Sequence, residues 1–115
     1  MSTDYSKMSD FEINKAVASL IYSRSQTTTP YNHRPDVQVF HLNGTNEFFD
    51  YCNNPADAWP IIIGNKLWLR ELYGQWHVCG FPTSNPNNVI KYFHENPLRA
   101  AMIVFLKMQE SKNAS

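Results

Sequence analysis

Cysteine is scarce: Cys52 and Cys79 are the two in 115 residues. Two thiols cannot staple a small domain, so a disulfide scaffold is excluded and both read as reduced thiols in a cytoplasm. The four glycines stand singly, which rules out a glycine-rich loop that cradles phosphate. An excess charge of one sign is also missing, because ten basic and ten acidic residues cancel. No bulk field draws the chain to an anionic membrane. Sequence-independent nucleic-acid binding is disfavoured for the same reason, unless charge is strongly segregated. No apolar run approaches the roughly 18 residues of a membrane span. Residues 1–9 lack the basic-then-apolar layout of a signal peptide.

What is present is apolar and aromatic. At 43% hydrophobic and 14% aromatic the chain is globular rather than disordered. Its length fits one domain, residues 1–115, since domains most often run about 100–150 residues. Residues 1–8 and 110–115 are expected to be disordered. The stretch 96–109 organises the rest. Asn96 suits an N-cap and Pro97 the first helical position, and from Ala100 to Leu106 no side chain is polar. A helix apolar all round is buried, so the C-terminal helix is expected at the centre.

Read in order, a first helix opens with Ser9 as N-cap and Glu12 completing a capping box, with Met8 and Ile13 as a hydrophobic staple. Ile13, Ala16, Val17, Leu20 and Ile21 form its apolar face. Phe11 falls on the opposite face. It either marks a contact surface or tucks under the N-terminus, the simpler reading because single surface aromatics are ordinary. Residues 23–35 read as a polar loop whose end carries Tyr31, His33 and Arg34 within reach of a ligand, although a plain linker explains them as well. A hairpin follows, residues 36–42 and 45–51, joined by Asn43-Gly44 as a two-residue turn with positive φ at both positions. Asn54 and Pro55 then open a helix that Pro60 keeps short or bent and that ends near Gly64. Residues 66–73 and 75–81 form a second hairpin around Gly74, with 88–94 as a further strand. The fold class is α+β: an antiparallel sheet of two hairpins with three helices, the C-terminal one buried.

Three segments carry a family resemblance: residues 9–14 (Ser-Asp-Phe-Glu-Ile-Asn), 52–62 (Cys-Asn-Asn-Pro-Ala-Asp-Ala-Trp-Pro-Ile-Ile) and 96–106. Taken together they resemble the NinX-like family of small phage and prophage proteins. The resemblance implies a phage-encoded protein that works inside a bacterium, and it supplies no catalytic residue.

The residues themselves argue against most chemistry. Asp57 and Glu71 are the carboxylates nearest apolar sequence, but Asp57 is explained as a first-turn acid of its helix. His77 and Cys79 share a strand face, yet no Cys-x-x-Cys or His-x-x-x-His spacing supports zinc. A Cys–His nucleophile pair has no oxyanion donor to go with it. No cofactor is implied. A binding site remains. The helix starts at Asn54 and Asn96 favour anions. Arg99 is out of place, because a first-turn cation opposes the helix dipole. Its partner is either an internal carboxylate, Asp57 or another, or the phosphate of a ligand. In the second case Arg70 or His77 assists, Trp68, Trp76 or Tyr51 stacks on a flat ring, and Asn53 and Asn54 read its polar edges.

The expectation is therefore a non-enzymatic phage protein that sequesters a small nucleotide-type signal of host defence. The alternatives are an interaction module that grips a host enzyme through Phe11, Trp59 or a hairpin face, and an enzyme that degrades such a signal. Self-association through a hairpin edge accompanies each reading.

Overall fold

A computed structural model of the chain describes residues 3–28 and 34–113. Tyr31 and His33 lie outside these residues. A 3-10 turn at Tyr5–Lys7 leads into α1 (Asp10–Ile21). Then come β1 (Gln26–Thr28), β2 (Val37–Phe40), β3 (Asn46–Phe49) and α2 (Pro55–Gly64). The rest is β4 (Trp68–Leu72), β5 (Gln75–Gly80), β6 (Ile90–His94) and α3 (Pro97–Asn113). The strands form two antiparallel three-stranded sheets, ordered β1-β2-β3 and β4-β5-β6. Each expected hairpin is thus two-thirds of its own sheet.

Helix α3 is the centre. Every residue from Ala100 to Leu106 is buried, and the helix packs on β5, β6, α1 and α2. Asn96 caps it, its Oδ1 accepting from the N–H groups of Leu98 at 3.0 Å and Arg99 at 3.2 Å. The helix runs on to Asn113, past the expected end. Thr3 and Tyr5 lie against it: the Glu110 carboxylate accepts from Thr3 Oγ1 at 2.7 Å and from the Tyr5 hydroxyl at 2.8 Å. Tyr5 is buried with the core.

The capping box of α1 forms as read, with both reciprocal bonds present. Its buried face is rotated from the expected one. Ile13, Asn14, Val17 and Ala18 are buried, while Leu20 and Ile21 are 45% and 42% exposed. Asn14 explains the rotation. Its Nδ2 donates to Pro35 O and to Asp50 Oδ1, both at 2.9 Å, and its Oδ1 accepts from the Cys52 N–H at 3.0 Å. A buried amide with all these partners ties α1 to the chain entering β2 and to the chain leaving β3. Phe11 is half-buried and packs against the core.

The two-residue turn expected at Asn43-Gly44 is not formed there. At Gly44 the loop has three residues, 42–44: His41 N donates to Thr45 O, and Gly44 alone takes positive φ, +91°. Asn43 instead accepts from Thr45 N and Oγ1, an Asx arrangement that competes with the two-residue turn. The tight two-residue turn falls at Tyr73-Gly74, with φ of 53° and 82°, between paired Leu72 and Gln75. Strand β1 lies in the stretch read as loop and pairs with β2 from Gln26 opposite Phe40. α2 has Asn54 as cap, Pro55 in its first turn and Pro60 within it, as expected.

Candidate functional site

Two regions gather the residues singled out from sequence. The first is where the helices start. Arg99 is 8% exposed, and its guanidinium is answered within the chain. Nη1 donates to Asp10 Oδ1 at 2.7 Å, and Nη2 donates to Met8 O at 2.6 Å and Tyr5 O at 3.4 Å. The internal-carboxylate reading of Arg99 therefore holds, with Asp10 in the place proposed for Asp57. Asp10 heads α1, where its negative charge also suits the helix dipole. Asp57 accepts instead from the Asp50 N–H at 2.9 Å.

The amides beside Arg99 are engaged in the same way. Asn53 Nδ2 donates to Asp10 Oδ2 at 3.1 Å and to Asp50, and Asn54 Oδ1 caps the Ala56 N–H at 3.0 Å. Asn96 Nδ2 donates to Cys52 O at 2.9 Å. Next to this network lies an open cavity of about 360 Å³, lined by Arg34, Asp36, Phe48, Asp50, Asn53, Asn54 and Asp57, with Pro35. Three carboxylates against one guanidinium make its wall acidic, and Arg34 is itself paired with Asp36 at 2.8 Å. Such a wall repels phosphate.

The second region is the outer face of β4-β5-β6. In an antiparallel register, directly opposed residues share a face. Leu69, Val78 and Tyr92 are aligned and packed on the core, so they mark the inner side. The adjacent rows must point outward: Trp68, Cys79 and Lys91 in one, Arg70, His77 and Phe93 in the next. Trp68 is 67% exposed and Phe93 50%. Arg70 and Lys91 are exposed as well. The rings brace each other, with His77 and Phe93 centroids 4.1 Å apart and Trp68 edge-on to Phe81 at 5.9 Å. Rings beside cations on an exposed face can stack a flat ring and hold an anionic group.

Trp68, Arg70 and His77 are thus brought together, whereas two other expected stackers point elsewhere. Trp76 aligns with Glu71 and His94 on the inner side because it is one residue out of phase with His77. Tyr51 is 2% exposed and stacked on Phe49 at 5.3 Å, so its ring faces the core. Trp59 is 58% exposed on α2, apart from both groups. Lys91 and Phe93 were not singled out from sequence. Their signal was the alternation of 88–94, which becomes informative only once the register with β5 is known.

Cys52 and His41 are committed to structure. Burial, with the nearby Asp10 charge, pushes the Cys52 thiol up to about 12, so it is protonated and inert as a nucleophile at neutral pH. His41 bridges Ser25 Oγ at 3.3 Å and Glu47 Oε2 at 3.1 Å. The Ser25 N–H is taken by Tyr22 O, and the trio ties β1 to the hairpin. Among the described residues no group of three His, Cys, Asp or Glu side chains could hold a metal ion. Among them, too, no helix is long and apolar enough to cross a membrane.

Comparison with known proteins gives a family and a fold. The family described as "Bacteriophage P22, NinX" matches residues 4–109. No curated protein matches significantly. Among solved structures, a phage protein from Bacillus cereus ATCC 14579 superimposes with a TM-score of 0.65 at 17% identity, covering 96% of this chain and 94% of that one. At that identity the likeness concerns the fold alone.

Proposed function

The chain belongs to the NinX family of bacteriophage P22, and from that premise we propose that it is a non-catalytic protein that binds a small nucleotide-type ligand through the outer face of β4-β5-β6. The supporting observation is the register that sets Trp68, Arg70 and His77 side by side on an exposed face, with Phe93 and Lys91 completing the rows. A ring stacks on Trp68 or Phe93 while Arg70 and Lys91 neutralise phosphate. The site of action is the cytoplasm of the infected host, and the ligand we assign is a signal of host antiviral defence, sequestered rather than turned over. The defence role rests on analogy with other small phage proteins.

Isothermal titration against cyclic dinucleotides and ADP-ribose derivatives tests this. Binding that disappears in Trp68→Ala and Arg70→Ala variants is the expected result. Silence across the whole panel at micromolar protein would refute it. Mass spectrometry of what heat releases from protein purified from infected cells separates the sequestering form from an enzyme: an intact ligand supports sequestration, a cleaved one supports turnover.

A second reading has its own observation. Trp59 and Ile63 are four residues apart on α2 and 58% and 56% exposed. That is the spacing of a single helix face, and it suits a host protein surface. One host protein that co-purifies with the wild-type chain but not with Trp59→Ala would favour this reading over the first. Self-association through β1, β3, β4 or β6, the outermost strands of the two sheets, is part of the proposal for either reading. Light scattering during size exclusion reads it directly, and a monomer at 100 μM would remove it.

A further inference from the structure

We propose that the outer face of β4-β5-β6 takes single-stranded nucleic acid and engages two or more bases at once. This deepens the reading that the face accepts a ring joined to a phosphate, and it rests on that reading. Trp68 and Phe93 stand on the two outermost strands of the sheet and in adjacent outward rows. With strands about 4.8 Å apart and residues about 3.4 Å apart along each, their backbone anchors are about 12 Å from one another. Trp68 leans on Phe81 and Phe93 on His77, so the two rings are held by different neighbours and each offers its own stacking site. A ligand that uses both rings carries two bases that are not stacked on each other, since stacked neighbours lie about 3.4 Å apart. Splayed bases on aromatic side chains are how single strands are held.

The cations complete the pattern. Lys91 shares its row with Trp68, and Arg70 shares its row with Phe93, so rings and cations occupy opposite diagonals of the same two rows. Each base site thus has a cation within its own row for the adjoining phosphate. No residue in these rows is acidic. Asp10, Asp36, Asp50 and Asp57 gather instead around the helix starts. Glu71 and Glu95 border these rows without entering them, so the attraction for phosphate is local to Arg70 and Lys91 rather than a field of the whole molecule. Because β4 and β6 are outermost, a strand can run off either side of the sheet.

Fluorescence anisotropy with labelled octathymidylate, competed by thymidine monophosphate or by a cyclic dinucleotide, tests the inference in 50 mM and 200 mM salt. The octamer is expected to bind about ten-fold tighter than the monophosphate or better. Its affinity should fall with salt. Trp68→Ala and Phe93→Ala should each weaken it about ten-fold. Both rings are half exposed or more, so the variants should keep the wild-type far-UV spectrum; Lys91→Glu provides an independent variant that removes no packing ring. A monophosphate or cyclic dinucleotide that binds as tightly as the octamer would overturn the inference and leave the small-ligand reading standing. Failure of the octamer to bind would overturn the inference, whereas the small-ligand reading falls only if the cyclic dinucleotides and ADP-ribose derivatives are silent as well. An octamer that binds Trp68→Ala, Phe93→Ala and Lys91→Glu normally would place it elsewhere and overturn the inference.

Discussion

The helix starts and the outer face of β4-β5-β6 carry similar side chains, guanidinium and amide or guanidinium and ring, but those groups find their partners in different places. The groups that answer Arg99 belong to the chain: the Asp10 carboxylate and the Met8 and Tyr5 carbonyls. On the sheet, Arg70 and Lys91 lie exposed beside rings that are themselves half exposed or more. A misplaced cation in sequence signals that an anion is required without saying who supplies it. Burial answers that question, because a charge taken out of water must be paired within the fold.

The sharpest way to break this contrast is Arg99→Ala. It strands Asp10 and two carbonyls, and the expected loss is about 2–4 kcal/mol of stability in urea unfolding. Ligand affinity per folded molecule should not change. A stable Arg99→Ala protein with lost binding would reverse the roles of the two regions. Gly80→Ala probes the inner side of the same sheet. A Cβ there would collide with the Met108 sulfur and Val104, and the expected cost is about 1–3 kcal/mol, read as a lower melting temperature.

The N-terminal clamp gives a smaller, pH-dependent effect. Burial first, and then the bond to Glu110, push the Tyr5 phenol up to about 12. A folded value above the unfolded one of about 10 means that the contribution is intact below pH 10 and disappears as pH rises through the folded value. Alkaline unfolding of Tyr5→Phe should therefore show a flatter stability profile above pH 10 than wild type. Trp68→Ala should change stability least, by within about 0.5 kcal/mol, because the ring is 67% exposed. Its effect should appear in binding.

Much of the fold was legible because its signals are local. Asn96-Pro97 ahead of seven apolar residues specifies a buried helix, and Ser9 with Glu12 specifies a start. What was not legible depends on distant partners. Asn43-Gly44 reads as the tight turn, yet the Asn43 side chain bonds Thr45 and the loop opens to three residues, while Tyr73-Gly74 takes the tight turn despite a bulky first residue. β1 is three polar residues whose strand state comes from pairing with β2. In the candidate site, strand alternation pairs Trp68 with Arg70 and His77 with Cys79, but only the β4–β5 register puts both pairs on one face and sends Trp76 to the other. Lys91 and Phe93 required the register across β5, and the occupation of Arg99 required Asp10, 89 residues away.

Either the sheet face or the helix starts meet a ligand. Backbone amide shifts in a nitrogen-15 correlation spectrum, followed while a nucleotide or octathymidylate is titrated in, distinguish them directly. With the site on the sheet face, the largest changes fall on Trp68, Arg70, His77, Lys91 and Phe93, with Asn53, Asn96 and Arg99 still. Changes centred on Asn53, Asn96 and Arg99, with the sheet face unmoved, would contradict that placement.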